Sequence, residues 1–243
     1  MLIINADDWG RSQAETDAAL ACHRAGRITS VSAMVFMDDS QRAAKIANNS
    51  GVDVGLHLNL SETFTEAAVS ESIRSQHGRV VRFLRSSKFA LLAYNPFLTR
   101  AFRFVCKVQL DEFRRLYGRE PTHIDGHQHM HLCTNVLFSD AIPNGQRVRR
   151  SFTFAPGQKS AANRAYRGFV DRRLGKCFRL TDHFFCLSQS LAGNRIEHVA
   201  AVARNSNVEL MTHPMRETEF QFLTGDRFSQ VFSSVEIAPY SSL

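Results

Sequence analysis

The chain has 243 residues, of which 44% are hydrophobic and 22% charged, and its formal net charge is +7. These values suit one globular domain of barrel or doubly-wound size, spanning 1–243, with a sizeable apolar core. The basic balance fits a solvated surface, and it also fits attraction to an anionic glycan, a membrane surface or nucleic acid. The basic clusters at 147–150 and 171–176 are short and no recognisable nucleic-acid module accompanies them, so we expect no nucleic-acid partner.

Cysteine usage and apolar runs bear on the compartment. The cysteines are odd in number and scattered without a CxxC pair, which argues against a disulfide framework and for a reducing compartment. They are Cys22, Cys106, Cys133, Cys177 and Cys186. The N-terminus begins a strand at once, without the charged and apolar regions of a signal peptide. The longest apolar stretch, at 88–98, is too short to span a bilayer and contains Pro96. We therefore expect a cytoplasmic protein with no stable membrane insertion.

Strand-like and helix-like runs alternate along the chain. The first helix is well marked, since Ser12 and Glu15 form a capping-box pair and Gly26 stands where a helix C-cap belongs. Residues 61–98 are less regular and predict an insertion or loop excursion between units. In chain order, the pattern predicts a strand at 2–5, a helix at 11–27, a strand at 28–35, a helix at 39–49, a strand at 52–60, an amphipathic helix at 99–118, strands from 122 and at 148–154, a helix at 160–174, a strand at 182–188, a helix at 195–205 and a strand at 208–214.

Repeated strand-then-helix units with short connections predict an α/β fold with a mainly parallel sheet, either open or closed into a barrel. Six or seven strands in a chain of this length favour a barrel-like (β/α) arrangement. In such folds the reactive groups gather at the carboxyl ends of the strands, because the βα loops converge there.

Polar residues of the kinds that do chemistry stand where four of the predicted strands end. In chain order they are Asp7 and Asp8, His57 and Asn59, the run HIDGHQHMH at 123–131, and His213. Each is a weak signal alone, since an Asp–Asp pair is often a turn and a single buried histidine is often a hydrogen-bonded core residue. Their joint occurrence at the ends of four strands predicts one site.

The run at 123–131 alternates histidine and aspartate with other residues. Wherever this segment is extended, the alternating side chains share one face, and a face of histidines is not an apolar core face. Its members are His123, Asp125, His127, His129 and His131. The run is internal and directly follows a helix, so it is not a tag. We therefore predict metal or catalytic involvement.

Neutral imidazole and carboxylate together suit one divalent metal ion, with Zn²⁺ favoured and Mg²⁺, Mn²⁺ or Ni²⁺ indicated less decisively. Asp8, His57 and His127 would supply three protein ligands and leave positions open for water and substrate, as catalytic sites do. Asp7 would then be free to accept a proton from water that the ion activates.

Four segments of the sequence resemble, in order and spacing, the motifs of the YdjC-like carbohydrate deacetylases, which include the chitooligosaccharide deacetylases. These segments are NADDWG, GLHLNL, PTHIDGHQHMH and ELMTHP, and the resemblance runs from residue 2 to about 215. It implies a distorted (β/α) barrel of the glycoside hydrolase/deacetylase type. It also implies a metal-dependent hydrolase that removes an N-acetyl group from an amino sugar or oligosaccharide.

The resemblance also implies roles for individual residues. Asp8, His57 and His127 match the metal ligands, with zinc or magnesium as the ion. Asp7 matches the catalytic base, and His213 matches the histidine that stabilises or protonates the departing group. The remaining candidates are grouped as substrate-binding or orienting residues. They are Trp9, Asn59, Asp125, His129 and Arg149. Trp9 would stack on a sugar face or pack in the core, Asp125 and His129 would orient ligands, and Arg149 would orient the base or contact substrate.

Other interpretations stay open at this point. Asp/His sites on (β/α) barrels also hydrolyse phosphoesters, other esters and other amides. A catalytically silent sugar-binding protein would keep the same pocket, although a binder needs neither a base nor an acid. The region at 61–98 and the tail after 215 match no motif, so the glycan is not identified. The apolar stretch FALLAYNPF would suit a homodimer contact if it is exposed.

Overall fold

The computed structural model describes residues 1–154 and 157–243. Its centre is a sheet of six strands: β1 (Leu2–Trp9), β2 (Ser30–Ala33), β3 (Asp53–Leu58), β4 (Ile124–Gly126), β5 (His183–Cys186) and β6 (Val208–Thr212). The order across the sheet is β4–β3–β2–β1–β6–β5, and all five neighbouring pairs are parallel. The sheet curls into a half-barrel, which confirms the predicted distorted (β/α) barrel with mainly parallel strands.

Ten α-helices lie within the described residues and pack around the sheet. They are α1 (Gln13–Arg24), α2 (Ser40–Ser50), α3 (Glu71–Arg85), α4 (Thr99–Tyr117), α5 (Thr134–Leu137), α6 (Ala161–Leu174), α7 (Leu187–Ala192), α8 (Ile196–Ala203), α9 (Glu217–Thr224) and α10 (Asp226–Phe232). The capping pair of α1 forms as predicted. The Ser12 hydroxyl oxygen accepts a hydrogen bond from the Glu15 amide at 3.4 Å, and the hydroxyl donates to the Glu15 carboxylate at 2.5 Å.

The region at 61–98 is more regular than the sequence pattern indicated. Residues 71–85 form α3, which Ser70 caps by accepting a hydrogen bond from the Ile73 amide. The buried side chains of this helix are His77, Val80 and Leu84. They recur at helical spacing, but a histidine in the apolar stripe and a mostly basic remainder hide the pattern.

The predicted strand at 148–154 is wrong. In this segment Val148 makes one isolated bridge, to Ile124, instead of a ladder, because the segment crosses the gap between the two edges of the half-barrel. At one end, the Arg149 amide donates to the Ile124 carbonyl of β4. At the other end, the Thr153 amide donates to the Phe184 carbonyl of β5. The segment therefore joins the sheet edges and carries Arg149 into the space that they enclose.

Two further findings concern the cysteines and the apolar character of the helices. All five cysteines are free, and all but Cys177 are buried. No helix in residues 1–154 and 157–243 is long and apolar enough to cross a membrane.

The sheet contains a close approach that only glycine allows. Gly55 of β3 lies against the ring of His123, which is fully buried and 3.0 Å from the Ser32 hydroxyl. A Cβ atom at Gly55 would lie 2.3 Å from the imidazole carbon, well inside van der Waals contact. The glycine therefore makes room for a buried polar ring inside the half-barrel.

We expect Gly55→Ala to lower the free energy of unfolding by about 1–3 kcal/mol, because overpacking forces the His123 ring or the strand to move. The measurement is urea denaturation followed by circular dichroism. The control is Gly168→Ala in α6, where an added Cβ meets nothing within 4 Å. Its greater helix propensity should raise stability by about 0.5–1 kcal/mol. Wild-type stability for Gly55→Ala would show that the ring has room to move.

Candidate active site

The candidate site lies at the carboxyl ends of the parallel strands. Asp7 and Asp8 stand near the end of β1, His57 near the end of β3, and His127 and His213 directly after β4 and β6. A pocket of about 170 Å³ opens there. It is lined by Asp7, Asp8, Arg11, Glu15, His213, Pro214, Met215 and Arg216. The fold therefore brings together the residues that the sequence placed at four separate strand ends.

An irregularity in β1 turns two consecutive carboxylates toward one pocket. The register between β1 and β2 shifts between Ala6 and Trp9, and Asp8 adopts a left-handed backbone with φ of 68°. A regular strand would point neighbouring side chains to opposite faces. Left-handed backbone at a residue other than glycine is sparsely populated and costs about 1–3 kcal/mol. The strain at Asp8 is what lets both Asp7 and Asp8 line the pocket.

His57 is fixed in orientation by a buried carboxylate. Its Nδ1 donates to Asp125 Oδ1 at 2.7 Å, and both side chains are almost fully buried. This contact directs Nε2 toward the aspartate pair, where it lies 3.4 Å from Asp8 Oδ1. A carboxylate behind a histidine, with the other ring nitrogen facing outward, is the arrangement that usually orients a metal-ligating imidazole.

His127 stands on the other side of Asp8. Its Nδ1 lies 2.9 Å from Asp8 Oδ1, and its Nε2 lies 3.1 Å from Glu62 Oε1 without a well-aligned hydrogen bond. Glu62 is held in place by two hydrogen bonds from the Arg11 guanidinium, each 3.0 Å long. Sequence analysis missed Arg11 and Glu62, because a charged pair in loops carries no pattern of its own.

The donor atoms of Asp8, His57 and His127 suit a divalent cation. One atom from each residue lies within 4.8 Å of the others, and all three residues are buried. The set combines two imidazoles with one carboxylate, which are ligands that zinc and similar ions accept. One donor atom from each of Asp7, His57 and Asp125 also lies within 4.8 Å of the others. Two of those three are carboxylates already paired with the Arg149 guanidinium, so that set does not suit a second cation.

Electrostatics keep the aspartates ionised despite their burial. Burial opposes ionisation of Asp8, but hydrogen bonds and charge from His127 and His57 hold its pKa well below the usual range. Burial likewise opposes ionisation of Asp7, and the Arg149 guanidinium outweighs it and lowers the pKa. For His57, burial disfavours the cation, but the carboxylates of Asp125 and Asp7 outweigh it and raise the pKa to about 10. A metal ion bound to His57 would have to displace the proton that this raised pKa keeps on the imidazole.

Arg149 occupies the centre of the half-barrel beneath the pocket. It is fully buried and donates two hydrogen bonds to Asp7, of 2.8 and 2.6 Å. The same guanidinium lies 2.7 Å from Asp125 Oδ2 and donates through Nε to Glu209 at 2.8 Å. It also lies over the Phe184 ring, 5.0 Å from the centroid. Arg149 therefore contacts the predicted base directly and the His57 orienter as well.

Glu209 and Tyr240 complete this buried network, and sequence analysis missed both. Burial raises the pKa of Glu209 to about 7, even though Arg149 lies beside it. The Tyr240 hydroxyl donates to the second Glu209 oxygen, and the Tyr240 ring stacks on His123 at 3.8 Å between centroids. A charged residue inside the apolar strand VELMT was a usable signal for Glu209. Tyr240 had none, because it arrives from the C-terminal tail.

Two predicted contributors, Trp9 and His129, pack against residues outside the donor set. Trp9 is fully buried and its indole N–H donates to the Ala43 carbonyl, so its ring is not open to a sugar. His129 packs edge-on against Phe152 and Phe184 and does not hold a ligand in place. The alternation in 123–131 ends at Gly126, because Gln128 and His129 adopt left-handed backbone in a helical turn.

Asn59 has a local structural role. Its side-chain oxygen accepts hydrogen bonds from the amides of Ser61 and Glu62, at 3.2 and 2.8 Å. These bonds shape the turn after β3 that brings the Glu62 carboxylate to His127. Asn59 is fully buried.

His213 faces the aspartates from β6. Its Nε2 lies 3.9 Å from Asp8 Oδ2, and its backbone amide donates to the buried carboxylate of Glu219 at 2.7 Å. The side chain keeps 21% of its surface exposed in the pocket. Its Nδ1 has no hydrogen-bond partner among the described residues.

The chain that carries these strand-end residues matches a known protein family over nearly its whole length. A family model described as YdjC-like protein matches residues 1–234. The chain belongs to the YdjC-like family. Human carbohydrate deacetylase is 30% identical to it over 243 aligned residues, covering 88% of this chain and 74% of the human protein. Mouse carbohydrate deacetylase is 32% identical over 169 residues, or 68% of this chain, which spans about half (53%) of the mouse protein.

A solved structure shares the fold of this YdjC-like chain. It is a protein of Enterococcus faecalis V583 that is described as a candidate cellobiose-phosphate cleavage protein. The two superpose with a TM-score of 0.68 over 99% of this chain and 97% of the other, at 18% sequence identity. The superposition establishes a common fold, and at this low sequence identity it says nothing about the substrate.

We expect Arg149→Met to lower the free energy of unfolding by about 3–5 kcal/mol, because it leaves several buried carboxylates without their cation. The control is Arg227→Met, which removes the exposed ion pair with Glu197 and should cost less than about 1 kcal/mol. Urea denaturation monitored by tryptophan fluorescence measures both. Equal stability of the two variants would mean that the buried carboxylates do not depend on Arg149.

Proposed function

We propose that the protein is a metal-dependent carbohydrate N-deacetylase, which hydrolyses the acetamide of an N-acetylated amino sugar or oligosaccharide. One observation carries the proposal. A two-histidine, one-aspartate donor set adjoins the pocket through Asp8, beside a second aspartate that is bound to a buried arginine and is not part of that set. A cation-binding protein without catalysis has no use for the second carboxylate. The human and mouse relatives named carbohydrate deacetylase support the same activity.

Asp8, His57 and His127 would hold one divalent ion. When bound, the ion supplies Lewis-acid polarisation of the acetyl carbonyl and lowers the pKa of water toward about 7. Two imidazole ligands favour zinc over magnesium, whose preferred ligands are oxygens. Asp125 holds the His57 ring so that Nε2 faces Asp8, and Asp8 is kept ionised by its two histidine neighbours.

Asp7 is the general base in this proposal. Arg149 keeps the carboxylate ionised and fixes its plane with two hydrogen bonds, so the side chain does not need to reorganise before accepting a proton from water. Asp7 Oδ1 accepts hydrogen bonds from both Arg149 and the Asn5 side-chain amide, whereas Oδ2 accepts only one from Arg149, so Oδ2 is the oxygen with capacity left for a proton.

His213 is the general acid in this proposal. The nitrogen of an amide leaves poorly unless it is protonated, and His213 stands across the pocket from Asp7 with part of its ring exposed. The Glu219 carboxylate holds the His213 backbone in place, so the position of the ring relative to a departing amine is fixed at its backbone end.

We further propose that residues 1–243 act as one domain and that the protein works in the cytoplasm, because its scattered cysteines suit a reducing compartment.

The decisive activity test measures acetate release from a panel of N-acetylated amino sugars and chitooligosaccharides. We expect the zinc-loaded protein to release acetate from at least one of them, and a chelator to abolish release. Asp7→Asn should lower kcat by about 100- to 10,000-fold, the range that general bases contribute, while zinc content stays normal. Release of acetate by Asp7→Asn at the wild-type rate would contradict the base assignment. The absence of acetate from every sugar would contradict the deacetylase proposal.

A separate measurement tests the ligands without relying on activity. Isothermal titration with Zn²⁺ should give one ion per chain for the wild type. His57→Ala and His127→Ala should each weaken binding by more than tenfold, because each removes one of three protein ligands. The matched control is His198→Ala, an exposed histidine on α8 that should bind zinc as the wild type does. Undiminished affinity in both ligand variants would place the ion elsewhere.

A further inference from the structure

The chain that connects α3 to α4 exposes an unusual amount of apolar surface. Of the eight most exposed large hydrophobic side chains in the described residues, four stand within residues 89–97. They are Phe89 at 60% exposed, Leu92 at 45%, Tyr94 at 49% and Phe97 at 88%. We call these four residues the aromatic tip. Surface clusters of this kind mark sites of interaction, whereas single exposed apolar residues are ordinary.

The aromatic tip rests on an ordered support. Two short 3₁₀ turns, Ala90–Leu92 and Pro96–Leu98, carry it. Between the exposed side chains, Ala90 and Leu98 are buried and anchor the segment. Asn95 is tied to the Asn135 side chain by hydrogen bonds of 3.0 and 2.8 Å, through its backbone amide and carbonyl. The exposure of the aromatic rings is therefore part of the fold.

The sequence on either side of the tip is basic, and Asp140 from another segment pairs with one of its arginines, Arg103. Residues 72–110 contain eight lysines and arginines and not one aspartate or glutamate. Four of these basic side chains, nearest the tip, are exposed and have no ion-pair partner among the described residues: Arg82, Arg85, Lys88 and Arg100. An acidic protein surface or a lipid surface with anionic head groups would complement them.

The tip projects from the same end of the half-barrel as the candidate active site. Gln109 of α4 and His77 of α3 both hydrogen-bond to Asn59, just past the end of β3. These contacts fix where each helix lies along the direction of the strands. The C-terminal end of α4 leads back to the start of β4, so its N-terminal end points away from the sheet on the pocket side. At 1.5 Å per residue, Thr99 lies about 15 Å beyond Gln109, and Arg85 about 12 Å beyond His77.

We propose that the aromatic tip and the basic helix ends around it dock the protein on an anionic lipid membrane. Aromatic rings partition into the membrane interface, and lysine and arginine beside them bind anionic head groups. A second copy of the chain fits less well, because pairing two tips would bring two sets of unpaired positive charges together. The docking is peripheral and does not depend on the proposed catalysis.

The test is sedimentation of the full chain with phosphatidylcholine vesicles, with and without phosphatidylglycerol. We expect binding to the vesicles that contain phosphatidylglycerol, and weaker binding as salt is raised. Phe89→Ser with Phe97→Ser should lower the partition coefficient more than tenfold, through lost apolar burial. Arg85→Gln with Lys88→Gln should lower it roughly 30-fold, because each basic residue near the surface contributes about fivefold.

The matched control is Arg24→Gln with Lys45→Gln, which removes the same charge from exposed positions on α1 and α2. This variant should bind nearly as the wild type does. Equal weakening by the control would attribute binding to net charge and overturn the proposal. Failure of the wild type to bind vesicles would overturn it directly. A dimer that the phenylalanine variant dissociates, together with no vesicle binding, would assign the tip to a second copy instead.

Discussion

The arrangement of the site depends on one buried cation. The guanidinium of Arg149 contacts three carboxylates, those of Asp7, Asp125 and Glu209, and each is buried. Three negative charges and one positive charge would be expensive to bury together, and two features reduce the cost. Burial raises the pKa of Glu209 to about 7, so this side chain is partly protonated near neutral pH. Asp125 also binds His57, whose own pKa is raised, so a second cation shares its charge.

The path of the backbone explains how a charged side chain reaches the centre of the fold. Residues 147–154 run from the edge of β4 to the edge of β5, where a complete barrel would have further strands. The hydrogen bonds of this segment are shared between two edges, so neither edge strand is left open there. Arg149 sits at the start of the crossing and points inward. The segment that closes the half-barrel thus also supplies the cation on which the carboxylates depend.

The sequence was informative wherever function is carried by residues at strand ends. The pattern predicted the parallel sheet, the capped helix α1 and the gathering of Asp8, His57 and His127, because strand period and connection length constrain where those ends lie. It was uninformative where contacts join distant segments. Trp9 faces the core because β1 is irregular at Asp8, and no local pattern encodes that irregularity. Tyr240 enters the network from a tail whose sequence has no periodicity.

The proposed division of roles between the two adjacent aspartates depends on the position of Arg149. Both Asp7 and Asp8 line the pocket, and the dipeptide by itself does not distinguish them. Arg149 contacts both oxygens of Asp7, which leaves that carboxylate with reduced capacity for a second cation. Asp8 has no arginine partner among residues 1–154 and 157–243, and its neighbours are imidazoles that a metal ion can recruit. In the proposed function, the charge beneath the pocket therefore favours Asp8 for cation binding and leaves Asp7 to accept the proton.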